Sequence, residues 1–458
     1  MRDLFFVGYL LALLFFAFKR PFIFTLVYTY VDIIAPQRLS YFMLNSVPLS
    51  LLLFGLALAG FLLADDKRGL RFTFRQALML LLLIYCGYTT LQAAFPLTAW
   101  TKWDWVWKAL VFAIFLPFTL RTRLRIEALV LFLVLCVGTL VITGGIKTLG
   151  SGGGYGVLVL LVDDNSGLYE GSTISMAAIA IIPFVLWLAG HGTIFPPDWR
   201  VKLFAAALIF AALLIPVGTQ ARTGLVCMAV LGVLMLRNTK RRFLYLGLVA
   251  MAGMVAIPML PENYTKRMST IENPEADQSA STRLAVWSWT WDYVKQHPFG
   301  GGFDVYQINN VSFTLAPDAN APDAGFEALD DAPEDVVVED KARAFHSSYF
   351  EMLGEQGFPG LILWLMIHIG GVIRMELVLR RYRKSKAADE QWIAPLATAL
   401  QQGQIIYLVG ALFVGIAYTP FIYMLVALQI GLDSYLARRR KSAEPQVMMG
   451  PPLVAHNG

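Results

Sequence analysis

Runs of apolar residues recur along the whole chain, and charged residues fall mainly in the gaps between them. A helix that crosses a bilayer needs about 20 mostly apolar residues, and its backbone has no other way to satisfy its hydrogen bonds in lipid. The pattern therefore predicts an all-α polytopic membrane protein. The predicted helical runs are 4–18, 21–35, 42–64, 76–96, 104–120, 127–143, 172–190, 201–218, 223–236, 243–260, 347–379, 393–414 and 418–437.

Basic residues are distributed unevenly among the gaps, and this predicts which ends face the cytoplasm. Cytoplasmic loops carry an excess of Lys and Arg. One set of gaps holds most of the 37 basic residues, so we assign that set and the C-terminus to the cytoplasm. The basic positions of this set lie within 67–75, 121–125, 200–202, 237–242, 374–386 and 438–441.

The N-terminal region leaves the helix count open. No small-residue cleavage site follows the first run, so we expect a retained helix rather than a signal peptide. Two full crossings before Phe42 place the N-terminus outside, whereas Arg2 favours the inside. We treat residues 1–36 as one kinked or hairpin unit and expect about twelve transmembrane helices.

Four parts follow from this pattern: N-terminal transmembrane helices (1–260), a non-cytoplasmic loop with an interfacial helix (261–345), C-terminal transmembrane helices (346–437) and a disordered cytoplasmic tail (438–458). The first large non-cytoplasmic connection, Gly144 to Gly171, is glycine-rich and suits a re-entrant or flexible loop. The second contains a Trp-rich amphipathic piece at 283–291 and an acidic stretch from Ala316 to Asp340. We expect the first to lie at the membrane interface and the second to be mobile.

Composition narrows the class further. The chain is 57% hydrophobic and 15% charged, with a mean hydropathy of +0.59, which the surface of a soluble fold does not tolerate. The three cysteines fall inside apolar runs, and no Walker A loop, dinucleotide motif, metal-ligand spacing or nucleic-acid module is present in the sequence. We expect no cofactor, no metal and no nucleic-acid partner.

Three cationic or titratable residues lie beside apolar runs on the side poor in basic residues: Arg222, Arg283 and His346. Two guanidinium groups can clamp a diphosphate bidentately without a metal ion. The alternatives are that Arg222 snorkels at an interface and that Arg283 is a solvated charge on the amphipathic helix. Together the two arginines favour an anion site.

Among five histidines, only His346 combines the non-cytoplasmic side, a helix start and polar neighbours. It is the candidate catalytic or acceptor-orienting residue, and a structural cap is the alternative. Ser347 and Ser348 can cap the helix, and the Gly357–Gly360 segment allows a bend or a close approach. Glu355 is expected to bind backbone or a neighbouring helix rather than substrate.

Asp164 and Asn165 are further candidates, for positioning a sugar or a loop. Adjacent residues such as Asp163 and Asp164 point apart in a helix or strand, so they make a weak metal pair. His297, which precedes a proline and a glycine run, has a simpler explanation as part of a turn.

These motifs resemble the O-antigen ligase superfamily of bacterial inner-membrane glycosyltransferases, which includes O-antigen polymerases. The residues that carry the resemblance are Gln220-Ala-Arg222-Thr-Gly224, Arg283 with Trp287 and 297–303, 346–360 and, more weakly, 163–165. The opening Met-Arg-Asp-Leu and the run 35–39 resemble the branch of exosortase A-associated O-glycosylation ligases.

The resemblance implies a GT-C-type fold that acts at the periplasmic face on a glycan carried by undecaprenyl diphosphate. It implies that Arg222 and Arg283 hold the diphosphate and that His346 assists the hydroxyl of a glycan, lipid or protein acceptor. Gln220, Tyr349, Asp164 and Asn165 are then possible substrate-binding residues.

Two functions outside simple ligation remain open. A polymerase performs the same chemistry with a growing glycan as acceptor. A transporter of polyprenyl-linked glycans usually carries ionisable groups at the bilayer midplane, whereas most charges here are at helix ends. A third alternative is a purely structural role as a membrane partner of an export machine. That role gives no reason for two arginines and a histidine on the side poor in arginine.

Overall fold

The structure is a computed structural model that describes residues 2–150, 168–237, 242, 251, 278–315 and 336–443. Long helices dominate these residues. Their bounds are α1 (Arg2–Lys19), α2 (Phe22–Ile34), α3 (Pro36–Leu39), α4 (Leu49–Ala64), α5 (Phe74–Leu91), α6 (Pro96–Thr119), α7 (Arg123–Gly150), α8 (Gly171–His191), α9 (Trp199–Gly218), α10 (Arg222–Leu236), α11 (Gln278–Gln296), α12 (Ser348–Tyr382), α13 (Ile393–Gly410) and α14 (Pro420–Ala443), with a 3₁₀ turn at Val305–Ile308 and strands β1 (Asn310–Leu315) and β2 (Val336–Lys341).

The apolar runs of the described residues form helices, but some bounds differ from the predicted ones. The helix α4 begins at Leu49 rather than at 42, and α6 begins at Pro96 rather than at 104. The helix α14 continues to Ala443, so residues 438–443 of the tail predicted as disordered are helical. Six helices in the described part of the chain, α5, α7, α8, α9, α12 and α14, are long and apolar enough to cross a membrane. Three shorter apolar helices, α2, α4 and α10, accompany them. The architecture is that of a polytopic all-α membrane protein. The run 243–260 lies outside the described residues, and the total of about twelve crossings stays a prediction.

The helix ends form two groups of loops on opposite sides of the bundle. At one end, which we call the Arg125 end, the Arg125 guanidinium makes two bonds of 2.6 Å to Asp65, and Arg438 donates to the carbonyl of Leu120. At the other end, the His346 end, Ser348 donates its backbone N–H to Ala411. The strongly basic loops that the structure describes in full lie at the Arg125 end: 67–75, 121–125, 200–202, 374–386 and 438–441.

The first two helices form an antiparallel hairpin. The Asp3 carboxylate, at the start of α1, accepts the backbone N–H groups of Tyr41, Phe42 and Met43, which follow α2 in the chain. Arg2 lies over the Tyr41 ring at 3.7 Å. The N-terminus is therefore at the His346 end, and the expected hairpin unit consists of two separate helices.

Among the six candidate spans of the described residues, α8 and α14 are the most buried. Residues 173–185 of α8 and 420–432 of α14 are buried without interruption. Their sequences are apolar on all faces, as expected for helices surrounded by other helices. Polar groups inside the bundle are paired between helices, as where Trp187 donates its indole N–H to the carbonyl of Trp392.

Two expectations about loops are wrong. Residues 144–150 are not part of a loop, because α7 continues through them to Gly150. Residues 336–340, predicted as part of a mobile acidic stretch, belong to strand β2, which pairs antiparallel with β1. Val336, Val337 and Val338 have the high strand propensity of β-branched residues, which the acidic composition of the surrounding stretch concealed.

Candidate functional site

His346 lies two residues before the start of α12 and has a left-handed backbone conformation, with φ of +47°. Part of the residue is exposed to solvent. Ser347 takes the N-cap position, but neither serine caps the helix with its side chain, contrary to expectation. Ser348 instead donates its hydroxyl to Val414 and accepts the N–H of Ile416, so it fixes the start of α12 against the chain after α13.

Arg283 reaches the same place from α11. Trp287, four residues later and therefore on the same face of that helix, donates its indole N–H to the carbonyl of Phe345 at 2.8 Å. The Trp287 ring also stacks on Phe350, with ring centroids 4.9 Å apart. These contacts bind α11 to both sides of His346, and they bring Arg283 close enough to act on the imidazole electrostatically.

The pKa of His346 lies below its usual value. Burial of the ring by surrounding protein is the largest cause, and the positive charges of Arg283 and Arg343 act in the same direction. The Glu170 carboxylate opposes them and raises the pKa. The imidazole is therefore neutral near pH 7, the form that can accept a proton.

Glu170, whose charge acts on His346, stands at the start of α8. Its carboxylate accepts the backbone N–H and the hydroxyl of Thr173, at 2.6 and 2.8 Å, and so caps the N-terminus of α8. The next residue, Gly171, lies beside Thr219, where a Cβ would be 3.4 Å from the Thr219 side chain. Glu170 was not among the residues expected from the sequence.

Arg222 begins α10, directly after the tight turn that follows α9. Gln220 in this turn is buried and has φ of +51°. The hydroxyls of Thr219 and Ser175 are 2.7 Å apart, and Gly224 packs closely against Ser175. The Arg222 turn thus packs on the first turn of α8, whose cap is Glu170. Arg222, Glu170, Arg283 and His346 consequently share one end of the bundle.

A buried charge cluster lies behind His346, one to two turns into α12. Lys102 of α6 donates to Glu351 and to Glu355, each at 2.7 Å, and Asp304 is 4.0 Å away. Glu351 also accepts the N–H of Ala417, and Glu355 accepts that of Asp304. Three carboxyl groups therefore surround one ammonium and join α6, α12 and the loop after α11. Glu355 binds a neighbouring helix and backbone, as expected.

The helix α12 breaks at Gly357, which has φ of +63° and ψ of −167°. The turn at 297–302 packs against this break through its backbone. A Cβ on Gly357 would lie 2.2 Å from the carbonyl oxygen of Pro298, and one on Gly300 would lie 2.4 Å from that of Glu355. The hydrogen bonds run from Gly301 N to Gly354 O (3.0 Å), from Gly302 N to Glu355 O (2.9 Å) and from Phe358 N to Pro298 O (3.0 Å).

The remaining residues considered in the sequence analysis lie in other environments or outside the described residues. Tyr349 donates its hydroxyl to the carbonyl of Leu408, which is a packing contact, and its binding of substrate stays a prediction. His297 stacks on Tyr293 at the start of the glycine turn, as expected for a turn residue. Asp164 and Asn165 lie outside the described residues.

Sequence reasoning missed Lys102 and Glu170 for different reasons. Lys102 was visible as a lysine in an arginine-poor region, but its partners are about 250 positions away in the chain. Glu170 stands just before an apolar run that begins Gly-Ser-Thr, a position typical of a helix cap. That signal indicates a cap and carries no information about the distant histidine.

The helices and the site together define a multi-pass membrane protein with arginines and a histidine gathered at one end. Comparison with known families agrees with this picture. Residues 204–365, which include Arg222, Arg283 and His346, match the family described as O-Antigen ligase. Residues 1–193 match a family of unknown function, DUF5935. No curated protein matches the chain. The first match supports the O-antigen ligase superfamily and a ligase- or polymerase-like role in handling glycans.

Proposed function

We propose that the protein transfers a glycan from undecaprenyl diphosphate to an acceptor hydroxyl at the periplasmic face of the bacterial inner membrane. The observation that carries this proposal is the position of His346 beside Arg283, at the end of the bundle poor in basic loops. Both residues lie in the segment that matches the O-Antigen ligase family. Three further parts of the proposal rest on the resemblance of the sequence motifs to the O-antigen ligase superfamily. These are the GT-C-type fold, the donor and the assignment to the branch of exosortase A-associated ligases.

In this proposal Arg222 and Arg283 bind the diphosphate of the donor. When the bond from the anomeric carbon to the diphosphate oxygen breaks, negative charge grows on that oxygen. Guanidinium groups that are already in place stabilise this charge most strongly where water is scarce, and both arginines are half-buried. They supply the neutralisation without a metal ion.

His346 acts on the acceptor. The acceptor oxygen attacks the anomeric carbon from the side opposite the diphosphate, so the configuration inverts. A new carbon–oxygen bond forms, the acceptor proton passes to the neutral imidazole, and undecaprenyl diphosphate leaves. General-base assistance of this kind contributes about 10²–10⁴-fold to the rate. The lowered pKa of His346 keeps it in the required form.

The experiment is a transfer assay with the full-length protein in vesicles, a lipid-linked glycan and a hydroxyl acceptor, with released undecaprenyl diphosphate as the readout. His346→Ala is expected to reduce turnover about 10²–10⁴-fold. Arg283→Ala and Arg222→Ala are expected to reduce it about 10²–10³-fold each. His297→Ala, which removes an exposed histidine at the same end, and Arg200→Ala, which removes an exposed arginine elsewhere, are the matched controls.

The products separate the possible outcomes. A single transfer to the acceptor supports a ligase, and a ladder of growing glycans identifies a polymerase. Movement of intact donor across the membrane without release of undecaprenyl diphosphate identifies a transporter and overturns the proposal. Full turnover by the His346 and Arg222 variants overturns the mechanism.

A further inference from the structure

A cavity lies between α5, α12 and α14, near the Arg125 end and therefore at the opposite end of the bundle from His346. Its volume is about 630 Å³. One wall is an apolar face of α12 formed by Ile362, Met366, Ile369 and Ile373, each 42–56% exposed. These four residues extend over about 16 Å at the helical rise of 1.5 Å per residue. That length is close to one leaflet, half of a hydrocarbon core about 30 Å thick.

The polar end of this cavity carries two cations and one anion. Arg374 donates to Asp433 at 2.6 Å, and Arg75 donates to Gln429 at 2.7 Å. The Nε atoms of both arginines are buried and have no hydrogen-bond partner within the described part of the chain. Thr73, the N-cap of α5, and Phe74 and Arg75 of its first turn line the same end, so the positive end of a helix dipole adds to the field.

We propose that this cavity binds one anionic phospholipid from the leaflet at the Arg125 end. Its phosphate contacts Arg75 and Arg374, and an acyl chain lies along the apolar face of α12. The excess of one positive charge among Arg75, Arg374 and Asp433 matches a headgroup with one net negative charge. This site is independent of the transfer proposed for His346, because its cations lie at the opposite end of the bundle.

The first test compares lipid retention after full-length protein is extracted from vesicles of phosphatidylglycerol and phosphatidylcholine in equal amounts. Mass spectrometry of the intact complex counts the lipid that remains bound. The wild type is expected to retain one phosphatidylglycerol in preference to phosphatidylcholine. Replacing both Arg75 and Arg374 by Gln is expected to reduce this preference about tenfold, the effect of losing about 1.4 kcal/mol of charge-assisted bonding. Arg71→Gln, an exposed arginine outside the cavity, is the control.

The second test fills the apolar part without touching the arginines. Gly370 lines the cavity and a Cβ at this position meets nothing within 4 Å, so Gly370→Leu has room for its Cβ and directs its remaining atoms into the cavity. It is expected to reduce retained phosphatidylglycerol about tenfold, whereas Gly55→Leu, also in open space on another helix, leaves it unchanged.

Either of two results overturns the proposal. Equal retention of the two lipids by wild type and variants shows that the cavity does not select an anionic lipid. Displacement of phosphatidylglycerol by millimolar inorganic phosphate, together with normal retention by Gly370→Leu, identifies a site for free phosphate instead.

Discussion

His346 and Gln220 share an unusual backbone setting. Each has a positive φ, and each stands two residues before the first residue of a helix at the candidate site. Residues other than glycine adopt this conformation rarely, at a cost of order 1–3 kcal/mol unless the surrounding structure holds them there. For His346 the surrounding structure is visible: Trp287 bonds to the residue before it, and Ser348 bonds to the chain after α13.

The rate of transfer is expected to depend on pH through the protonation of His346. A general base works only when deprotonated, so activity is expected to fall as the pH drops through the pKa of His346. That midpoint is expected below the usual histidine value of about 6.5, because burial, Arg283 and Arg343 lower the pKa. The measurement is the initial transfer rate from pH 4.5 to 8.

Two substitutions are expected to shift the midpoint of this pH dependence in opposite directions. Arg343→Gln removes a positive charge and is expected to raise the midpoint, whereas Glu170→Gln removes a negative charge and is expected to lower it. Shifts in the same direction for both variants contradict an electrostatic origin.

Lys102 is expected to contribute strongly to the stability of the fold. Lys102→Met leaves Glu351 and Glu355, whose side chains are 9% and 0% exposed, without their counter-charge. Removal of one partner from a buried ion pair costs about 3–5 kcal/mol, so a large loss of thermal stability is expected. Lys108→Met, which breaks an exposed pair with Asp104, is expected to cost under about 1 kcal/mol.

The double substitution Lys102→Met with Glu355→Gln distinguishes charge from packing. It removes one buried carboxylate together with the ammonium, so part of the lost melting temperature is expected to return. No recovery in the double variant argues that the lysine acts through its volume alone.

At the scale of elements, the broken helix α12 and the glycine turn form one unit. The turn supplies donors and an acceptor for backbone groups that a straight helix would satisfy internally. The close approach requires glycine at 300 and at 357, which explains the spacing of two glycine-rich motifs separated by over fifty residues. Three elements at the site, α6, α11 and α12, are joined through this contact and the Lys102 cluster.

Gly357→Ala tests this unit. The new Cβ would lie 2.2 Å from the Pro298 carbonyl oxygen, at a φ that alanine rarely adopts. A loss of about 1–3 kcal/mol in stability is expected, together with reduced transfer. Gly370→Ala, in the same helix and in open space, is expected to leave stability unchanged or to raise it by about 0.5–1 kcal/mol. Equal melting temperatures for the two variants contradict the prediction.

At the scale of the whole molecule, the two ends differ in charge. The basic loops lie at the Arg125 end, whereas the candidate site and the N-terminus lie at the His346 end. By the excess of basic residues in cytoplasmic loops, we expect the His346 end to face the periplasm. This orientation accommodates the N-terminal hairpin and conflicts only with the weak preference of Arg2.

Cysteine labelling tests the orientation. Lys341→Cys and Asn45→Cys are exposed at the His346 end, and Lys384→Cys is exposed at the Arg125 end. The three native cysteines are buried and give a low background. A membrane-impermeant maleimide is expected to label positions 341 and 45 in spheroplasts, and position 384 only after lysis. The reverse pattern excludes a periplasmic site.

The helices were predictable because apolar length is a local property of the chain. The break in α12 was also predictable, since Gly357 and Pro359 disfavour a regular helix. The side-chain partners at the site were not predictable. Lys102 and Glu355 meet only after the bundle has formed. Ser348, expected to cap α12, bonds instead to the distant chain after α13. The valines of β2 carried a strand signal within a segment whose composition suggested disorder.

The interruption at Gly357 also divides α12 into two segments that contact different surroundings. Transmembrane segments tilt when bilayer thickness changes. Residues 348–356 are fastened to α6 and to the chain after α13, and Gly357 separates them from residues 358–382. We therefore expect a change in lipid length to act on residues 358–382 before it displaces the histidine.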